Sequence, residues 1–350
     1  MDLELLKNAL IRLFHRGFEK EKIQKLFNFL VRETSPQHRL FYPNLLGVRL
    51  NFTHQETLRL VTYGVLDGLF EMTWQVFCPQ CTAPNFETKS LKNLRLRERC
   101  AACGSDYEPH ADQNVHVLLA LHPRFYDEVI NTTDEETPVA EAGVQPLTVL
   151  DLIGYPDFRE HFTDQAPRLN QAIKIRNVSV MFTELIRSTE MYEVIGDVQA
   201  FLLVNEHFDI LFDFILKKYG GVIKTIGDAV MAVFKEPGPA FEAAVDIKKR
   251  VDHFLNSKLK NFSSGIKIGL HVGPAVVVNL NENFDLFGAT VNKAARLVSH
   301  AQLEAIAMSK EFMAQVHHLP ETQNTDKITQ NTVTLKGIKS EQLIYLYKVR

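Results

Sequence analysis

Two periods of apolar residues run through this 350-residue chain, and the elements they predict fall into two halves. The opening "MDLELLKNALIRLFHRGFEKEKIQKLF" repeats apolar residues every three or four positions between charges. That spacing predicts one or two amphipathic helices up to about residue 35. "THQETLRLVTYGVLDGL" predicts another. Thr53 stands as its N-cap with Glu56 three residues on, a capping-box spacing, and Leu58, Leu60, Val61, Val65 and Leu66 fall mostly on one face. "FEMTWQVF" alternates like a strand, and "VHVLLALHP" reads as a second one. The stretch 131–146, "NTTDEETPVAEAGVQP", is acidic and rich in turn formers, so it reads as a loop or linker. "LTVLDLIGYPDFREHF" reads as a short strand and a helix, and "APRLNQAIKIRN" leads into the second half, with a boundary near residue 175.

From Val178 the pattern changes. "VSVMFTEL" is a buried strand, and Ser188 or Thr189 is placed to cap the helix "EMYEVIGDV". The long helix "VQAFLLVNEHFDILFDFILKKYGG" stops at Gly220-Gly221. "VIKTIGDAVMAVF" is two short strands hinged on Gly227-Asp228, with Lys224 and Asp228 near the hinge, where a plain hairpin carries solubilising charges. An amphipathic helix follows in "GPAFEAAVDIKKRVDHFLNSKL", then a pair of strands about Gly273-Pro274 in "GIKIGLHVGPAVVVNL". A helix "FGATVNKAARLVSHA", a strand "AIAMS", a helix "KEFMAQV" and a closing hairpin "TVTLKGIKSEQLIYLYKV" complete the chain. Strands and helices mix and hairpins supply much of the sheet, so the expected class is α+β with helices packed on a sheet.

Composition narrows the possibilities. The 45% apolar content supplies two ordinary cores, and a net charge of −3 offers no broad basic surface for nucleic acid. The helix followed by a strand or wing in residues 1–75 is compatible with a winged-helix-like unit, but it has no basic recognition helix, so no nucleic-acid partner is expected. No segment approaches the ~18 uninterrupted apolar residues of a membrane span. The N-terminus lacks the basic start, apolar centre and small-residue cleavage site of a secretion signal. A cytoplasmic protein is expected.

All four cysteines lie in "CPQC" (Cys78, Cys81) and "CAAC" (Cys100, Cys103), two CxxC knuckles separated by 18 residues. Each such turn can aim two sulfurs at one tetrahedral ion, so residues 76–110 read as a zinc ribbon with one structural zinc; four thiolates leave no open position for water. Two disulfides or four free thiols are the other readings, and a disulfide is disfavoured without a secretion signal. Residues 111–175 are then a strand plus linker.

The motifs from Val178 to Val349, in their order, resemble the catalytic domain of class III nucleotide cyclases, and the ribbon-containing half resembles the region found before some bacterial members. The resemblance implies a ferredoxin-like catalytic domain over 176–350. It implies closure of a 3′,5′-cyclic nucleotide by in-line attack of the 3′-oxygen on the α-phosphorus, assisted by two magnesium or manganese ions. It places the metal carboxylates at Glu184 in "FTEL" and Asp228 in "IGD", with the backbone carbonyl of Leu185 completing one shell. Glu184 departs from the family, which normally has Asp there. One more methylene moves the carboxylate by about an ångström, and manganese tolerates that better than magnesium.

The same resemblance gives the turn "ELIRSTE", with Arg187, Ser188 and Thr189, the task of cradling the β- and γ-phosphates. Arg187 stands where the family often has Gly; it either adds a phosphate contact or is a solvated side chain. Lys224 and Asp285 match the pair that selects adenine: a donor for N1 and an acceptor for the N6 amino group. Asn292 would orient the ribose and Arg296, one helical turn on, would meet charge growing on the α-phosphate. Lys336 in "TLKGI" would grip the terminal phosphates. In the family the metal carboxylates come from one subunit and the base-reading and transition-state residues from the other, so a head-to-tail homodimer is implied. The expected activity is an adenylate cyclase acting on ATP. A cyclase-like protein that binds nucleotide without turnover, or a cyclase for GTP, CTP or UTP, stays open.

Overall fold

The structure, a computed structural model, describes residues 1–35, 40–126, 143–259 and 264–349. It forms two compact units, Met1–Ile173 with Asn279–Asn283 and Lys174–Val278 with Phe284–Arg350. Among the described residues no helix is long and apolar enough to cross a membrane.

The first unit holds α1 (Leu3–His15), α2 (Lys20–Glu33), β1 (Leu40–Phe41), α3 (Asn44–Leu50), α4 (His54–Leu66), β2 (Phe70–Phe77), β3 (Pro84–Thr88), β4 (Glu98–Arg99), β5 (Asp106–Tyr107), β6 (Val115–Leu121), α5 (Val149–Gly154) and α6 (Pro156–His161). The opening amphipathic pattern is thus two helices. The capping box of α4 forms as spaced: the Thr53 N–H donates to Glu56 at 2.8 Å and the Glu56 N–H to Thr53 Oγ1 at 3.2 Å. Strand order is β1-β6-β2-β3, with β4 and β5 as a separate pair. β2 pairs antiparallel with β6 from Phe70–Leu121 to Val76–Val115, so it is an inner strand rather than a wing beside a helix. Trp74, Phe41, Phe70, Phe125 and Phe158 are fully buried around it. The expected strand in "LTVLDL" is instead α5. Asp151 accepts from the Thr148 N–H at 2.6 Å, capping the helix, and the strand survives only as an isolated bridge between His116 and Thr148. Residues 131–142 of the expected linker lie outside the described residues.

The second unit holds β7 (Ile173–Leu185), α7 (Ser188–Ile195), α8 (Asp197–Lys217), β8 (Gly221–Ile226), β9 (Ala229–Phe234), α9 (Pro237–Lys258), β10 (Ile266–Leu280), β11 (Asn283–Phe287), α10 (Ala289–Leu297), β12 (Ala305–Ser309), α11 (Lys310–Val316), α12 (Pro320–Gln323), β13 (Ile328–Val333) and β14 (Gln342–Lys348). Its sheet runs β13-β14-β12-β10-β7-β9-β8, with β11 paired to β10. The β10–β12 pair is parallel, whereas β7–β9, β8–β9, β12–β14 and β13–β14 are antiparallel. The core gathers Met181, Phe234, Phe241, Leu255, Ile268 and Phe312, all nearly or fully buried.

Two glycine-based expectations are altered by the structure. The strands expected on either side of Gly273-Pro274 are one continuous 15-residue strand, β10. Gly273 is there for close approach: a Cβ would meet Thr290 Oγ1 at 2.7 Å, and that hydroxyl donates to the Pro274 carbonyl at 2.6 Å. The real reversal is Asn281-Glu282, both left-handed (φ 52° and 62°), and it creates the unanticipated strand β11. At the end of α8 the left-handed residue is Tyr219 (φ 58°), not a glycine. Gly220 N–H still reaches Ile215 O at 2.9 Å to close the helix. Gly220 itself makes room for Phe234, whose ring would lie 2.3 Å from a Cβ.

Candidate functional site

The antiparallel register of β7 and β9 pairs Thr183 with Val230, and Thr183 Oγ1 accepts from the Val230 N–H at 3.1 Å. The next residue on β7 is Glu184, and two residues before Val230 is Asp228, so both carboxylates lie at one end of the sheet. Gly227 takes φ 63° in the two-residue turn that joins β8 to β9, the conformation that favours glycine at the first turn position. The turn then delivers Asp228 half-buried. Its Oδ2 accepts from the Leu185 N–H at 2.8 Å, which ties the Asp228 carboxylate to the backbone next to Glu184. Glu184 itself is exposed; carboxylates and backbone carbonyls are the oxygen donors that magnesium and manganese take. Below, on α8, His207 is fully buried. Burial pushes its pKa down, while the Val204 carbonyl at 2.5 Å from Nδ1 and the charge of Asp228 pull it back up.

The turn after β7 departs from its expected capping. Neither Ser188 nor Thr189 caps α7; Ser188 is its first residue, and the N-cap is Arg187, with φ 58° and ψ 35°. A left-handed residue costs a non-glycine side chain on the order of 1 kcal/mol, which accounts physically for the preference for Gly at this place. The Arg187 guanidinium is held by Glu190, with Nε at 2.9 Å. The Ile186 N–H is engaged by the Gly265 carbonyl at 2.8 Å, so it is not open to a phosphate.

Lys224 and Asp285, 61 residues apart in sequence, meet directly: Nζ lies 2.6 Å from Oδ2. Two local features make that possible. A bulge on β8 between Val222 and Lys224 turns the strand out of register with β9. Asp285 sits on β11, buried to 5% exposure, with its Oδ1 fixed by the Leu286 N–H at 2.8 Å. Asn292 and Arg296 are both exposed on α10, whose N-cap is Gly288. Lys293 between them reaches Glu311 of α11 at 2.8 Å. Glu311 stands 3.7 Å from His271 Nδ1; burial and the Lys293 charge push the His271 pKa down to about 4. Lys336 is exposed on the turn between β13 and β14, before the left-handed Gly337. The structure therefore brings together Leu185 and Asp228, and Lys224 and Asp285. Asn292, Arg296 and Lys336 stand on other elements.

In the first unit the four cysteine sulfurs lie within 4.8 Å of one another. Cys78 and Cys103 sulfurs are 3.7 Å apart, and those of Cys81 and Cys100 3.6 Å. These distances exceed a disulfide bond of ~2.05 Å and match the edge, about 3.8 Å, of a tetrahedron with Zn–S bonds near 2.3 Å. The two knuckles repeat each other. Thr82 N–H reaches Cys78 O and Gly104 N–H reaches Cys100 O, both at 2.9 Å, while Cys78 and Cys100 donate to Ala83 and Ser105 at 3.0 and 2.9 Å. Thr82 and Gly104 share the left-handed conformation, φ 59° and 74°. The donors and their spacing fit zinc.

Residues 171–348, just over half of the chain, match the family model described as the adenylate and guanylate cyclase catalytic domain. Residues 8–145 match a family of unknown function, DUF5939. The chain is 30% identical over 135 residues to the receptor-type guanylate cyclase gcy-8 of Caenorhabditis elegans, covering 35% of this chain and 12% of that protein. It is 26% identical over 175 residues to the pH-sensitive adenylate cyclase MT1302 of Mycobacterium tuberculosis, covering 50% of this chain and 41% of that one. The adenylyl cyclase CyaB from P. aeruginosa is a structural neighbour with a TM-score of 0.44 and 20% identity, over 51% of this chain and 95% of that one. The chain thus spans well under two thirds of the curated relatives it matches, and both adenylate and guanylate cyclases stand among them. With its second unit falling almost wholly inside the matched span, the chain belongs to the adenylate and guanylate cyclase catalytic domain family.

Proposed function

We propose that the chain is an adenylate cyclase that converts ATP to 3′,5′-cyclic AMP and pyrophosphate at a homodimer interface. The observation that carries the choice of base is the 2.6 Å contact of Lys224 with Asp285. Lys offers a donor to adenine N1 and Asp an acceptor to the N6 amino group. Guanine, with N1–H and O6, inverts both requirements. A site built to hydrogen-bond one pattern rejects the other strongly, because mismatched polar groups are left unpaired.

The remaining residues divide the reaction. Glu184, Asp228 and the Leu185 carbonyl would hold two divalent ions, which when bound lower the 3′-hydroxyl pKa and neutralise charge on the triphosphate. The 3′-oxygen loses its proton and bonds to the α-phosphorus as the bond to the pyrophosphate oxygen breaks. Asn292 orients the ribose and Arg296 meets the charge growing on the α-phosphate. Lys336, Ser188 and Thr189 hold the terminal phosphates. Arg187 joins them only by leaving Glu190, an exposed pair worth little. Incubation with each of the four ribonucleoside triphosphates and magnesium or manganese, with products identified by mass, is expected to give cyclic AMP from ATP. Cyclic GMP as the main product would sink the adenine assignment.

Glu184 favours a second reading, nucleotide binding without turnover, because its extra methylene displaces a metal-ligand carboxylate. If Glu184 is a working ligand, manganese supports clearly higher initial rates than magnesium, since it accepts looser geometry. Glu184→Asp then raises the magnesium rate severalfold, as about an ångström of precision is worth up to a hundredfold. No product with either ion, with nucleotide still bound, would establish the second reading. A fall in rate for Glu184→Asp would show that the backbone has adapted to the longer side chain.

A further inference from the structure

Lys248 on α9 is 1% exposed, an unusual position for an ammonium group. It is paired with Asp252 one helical turn on, Nζ to Oδ2 at 2.8 Å. Two backbone carbonyls from distant segments also accept from it, Ile266 O at 2.8 Å and Leu303 O at 2.5 Å. Asp252 uses its other oxygen to accept from the Ile266 N–H at 3.0 Å. The pair therefore grips both backbone groups of Ile266, the first residue of β10. Gly265 presses on the pair so closely that a Cβ would lie 2.9 Å from Asp252 Oδ1.

The segment gripped in this way grips another. Gly265 O accepts from the Ile186 N–H at 2.8 Å, and Ser264 Oγ donates to the Ile186 carbonyl at 2.9 Å. Ile186 is thus held by both of its own backbone groups. It directly follows Glu184 and Leu185 and precedes the left-handed Arg187. A buried ion pair gives little net stability over an apolar pair of the same shape, but it fixes backbone position through its directed bonds. Here the directed bonds end on Ile186, one residue from the carbonyl and two from the carboxylate assigned to metal.

We propose that Lys248 and Asp252 are positioning residues that set the Glu184–Arg187 loop through Ser264, Gly265 and Ile266. The proposal rests on the two-metal reading above. Its test measures Mn2+ binding to the full chain by the electron paramagnetic resonance signal of the free ion, with melting temperature recorded for each variant. Asp228→Asn serves as the control for the metal reading and is expected to weaken Mn2+ binding at least about tenfold. Lys248→Met alone leaves a buried carboxylate unpaired and is expected to unfold easily. The double variant Lys248→Met/Asp252→Leu removes both charges, and Ser264→Ala removes one of the two hydrogen bonds to Ile186 and leaves the one to the Gly265 carbonyl.

The double variant is expected to fold and to bind Mn2+ about tenfold more weakly than wild type, with kcat lowered and KM for ATP nearly unchanged. Ser264→Ala is expected to do the same more mildly, at a melting temperature close to wild type. A purely structural pair would lower the folded fraction without changing the Mn2+ affinity of the molecules that remain folded. Wild-type Mn2+ affinity in Ser264→Ala and in the folded double variant, with Asp228→Asn impaired, overturns the clamp alone. Should the double variant not fold, Ser264→Ala decides. Unchanged binding in Asp228→Asn overturns the metal reading, and the clamp with it.

Discussion

Asp228→Asn is expected to lose cyclase turnover by on the order of a hundredfold or more while keeping its fold. The amide oxygen of Asn can still accept from the Leu185 N–H, which Asp228 Oδ2 now takes at 2.8 Å. The turn therefore stays put and only the negative charge is lost. Arg296→Ala, on the exposed face of α10, is expected to be similarly inactive for a different reason, loss of charge stabilisation at the α-phosphate. If each site is shared across a homodimer, mixing the two variants rescues activity. In the mixed dimer one site combines both defects and the other combines both intact halves. With random exchange, roughly a quarter of wild-type activity is expected. Rates are measured before and after mixing, with exchange monitored by two differently tagged chains. No rescue while the tags are shown to exchange would refute the shared site.

One zinc per chain is expected by metal analysis of protein purified without chelator, and Cys78→Ser is expected to lose it together with the folded ribbon. In small domains structural zinc supplies on the order of 10 kcal/mol of folding free energy, comparable with the whole stability of a domain at about 5–15 kcal/mol. The sulfurs of Cys78 and Cys100 are in buried residues, whereas Cys81 and Cys103 are exposed. Cys78→Ser and Cys100→Ser should therefore cost more in melting temperature than Cys81→Ser and Cys103→Ser. Limited proteolysis should cut the Cys78→Ser chain first between β3 and β5. Protein that contains no zinc and resists proteolysis equally in all four variants would remove the metal from the account.

The sequence by itself determined what depends on neighbours along the chain. The Thr53–Glu56 capping box, the two CxxC knuckles, the Gly227-Asp228 turn and the apolar periods of α8 and α9 are short-range features, written in residue types at fixed spacing. The order of motifs also named the family, since a series of separated motifs in one order is far more specific than any member. Tertiary structure decided whatever depends on a partner far away in sequence. Gly220 and Gly273 read as breaks, yet each clears space for a side chain from elsewhere, Phe234 and Thr290, while Tyr219 and Arg187 take the left-handed positions. The helix α5 replaced an expected strand because Asp151 captured the Thr148 N–H.

Lys224 and Asp285 came from the resemblance, but only folding showed them in contact at 2.6 Å, because the bulge on β8 and the strand β11 are set by cross-strand pairing. Lys248 and Asp252 went unread in the sequence, where their helix stood out only as amphipathic, although a signal was present. They stand four residues apart among buried Ala244, Ile247, Val251 and Leu255, and two charges on an apolar helical face are a signal in themselves. What they bind there is backbone from Ile266 and Leu303. Backbone carbonyls leave no mark on a sequence, so that part of the site required three dimensions.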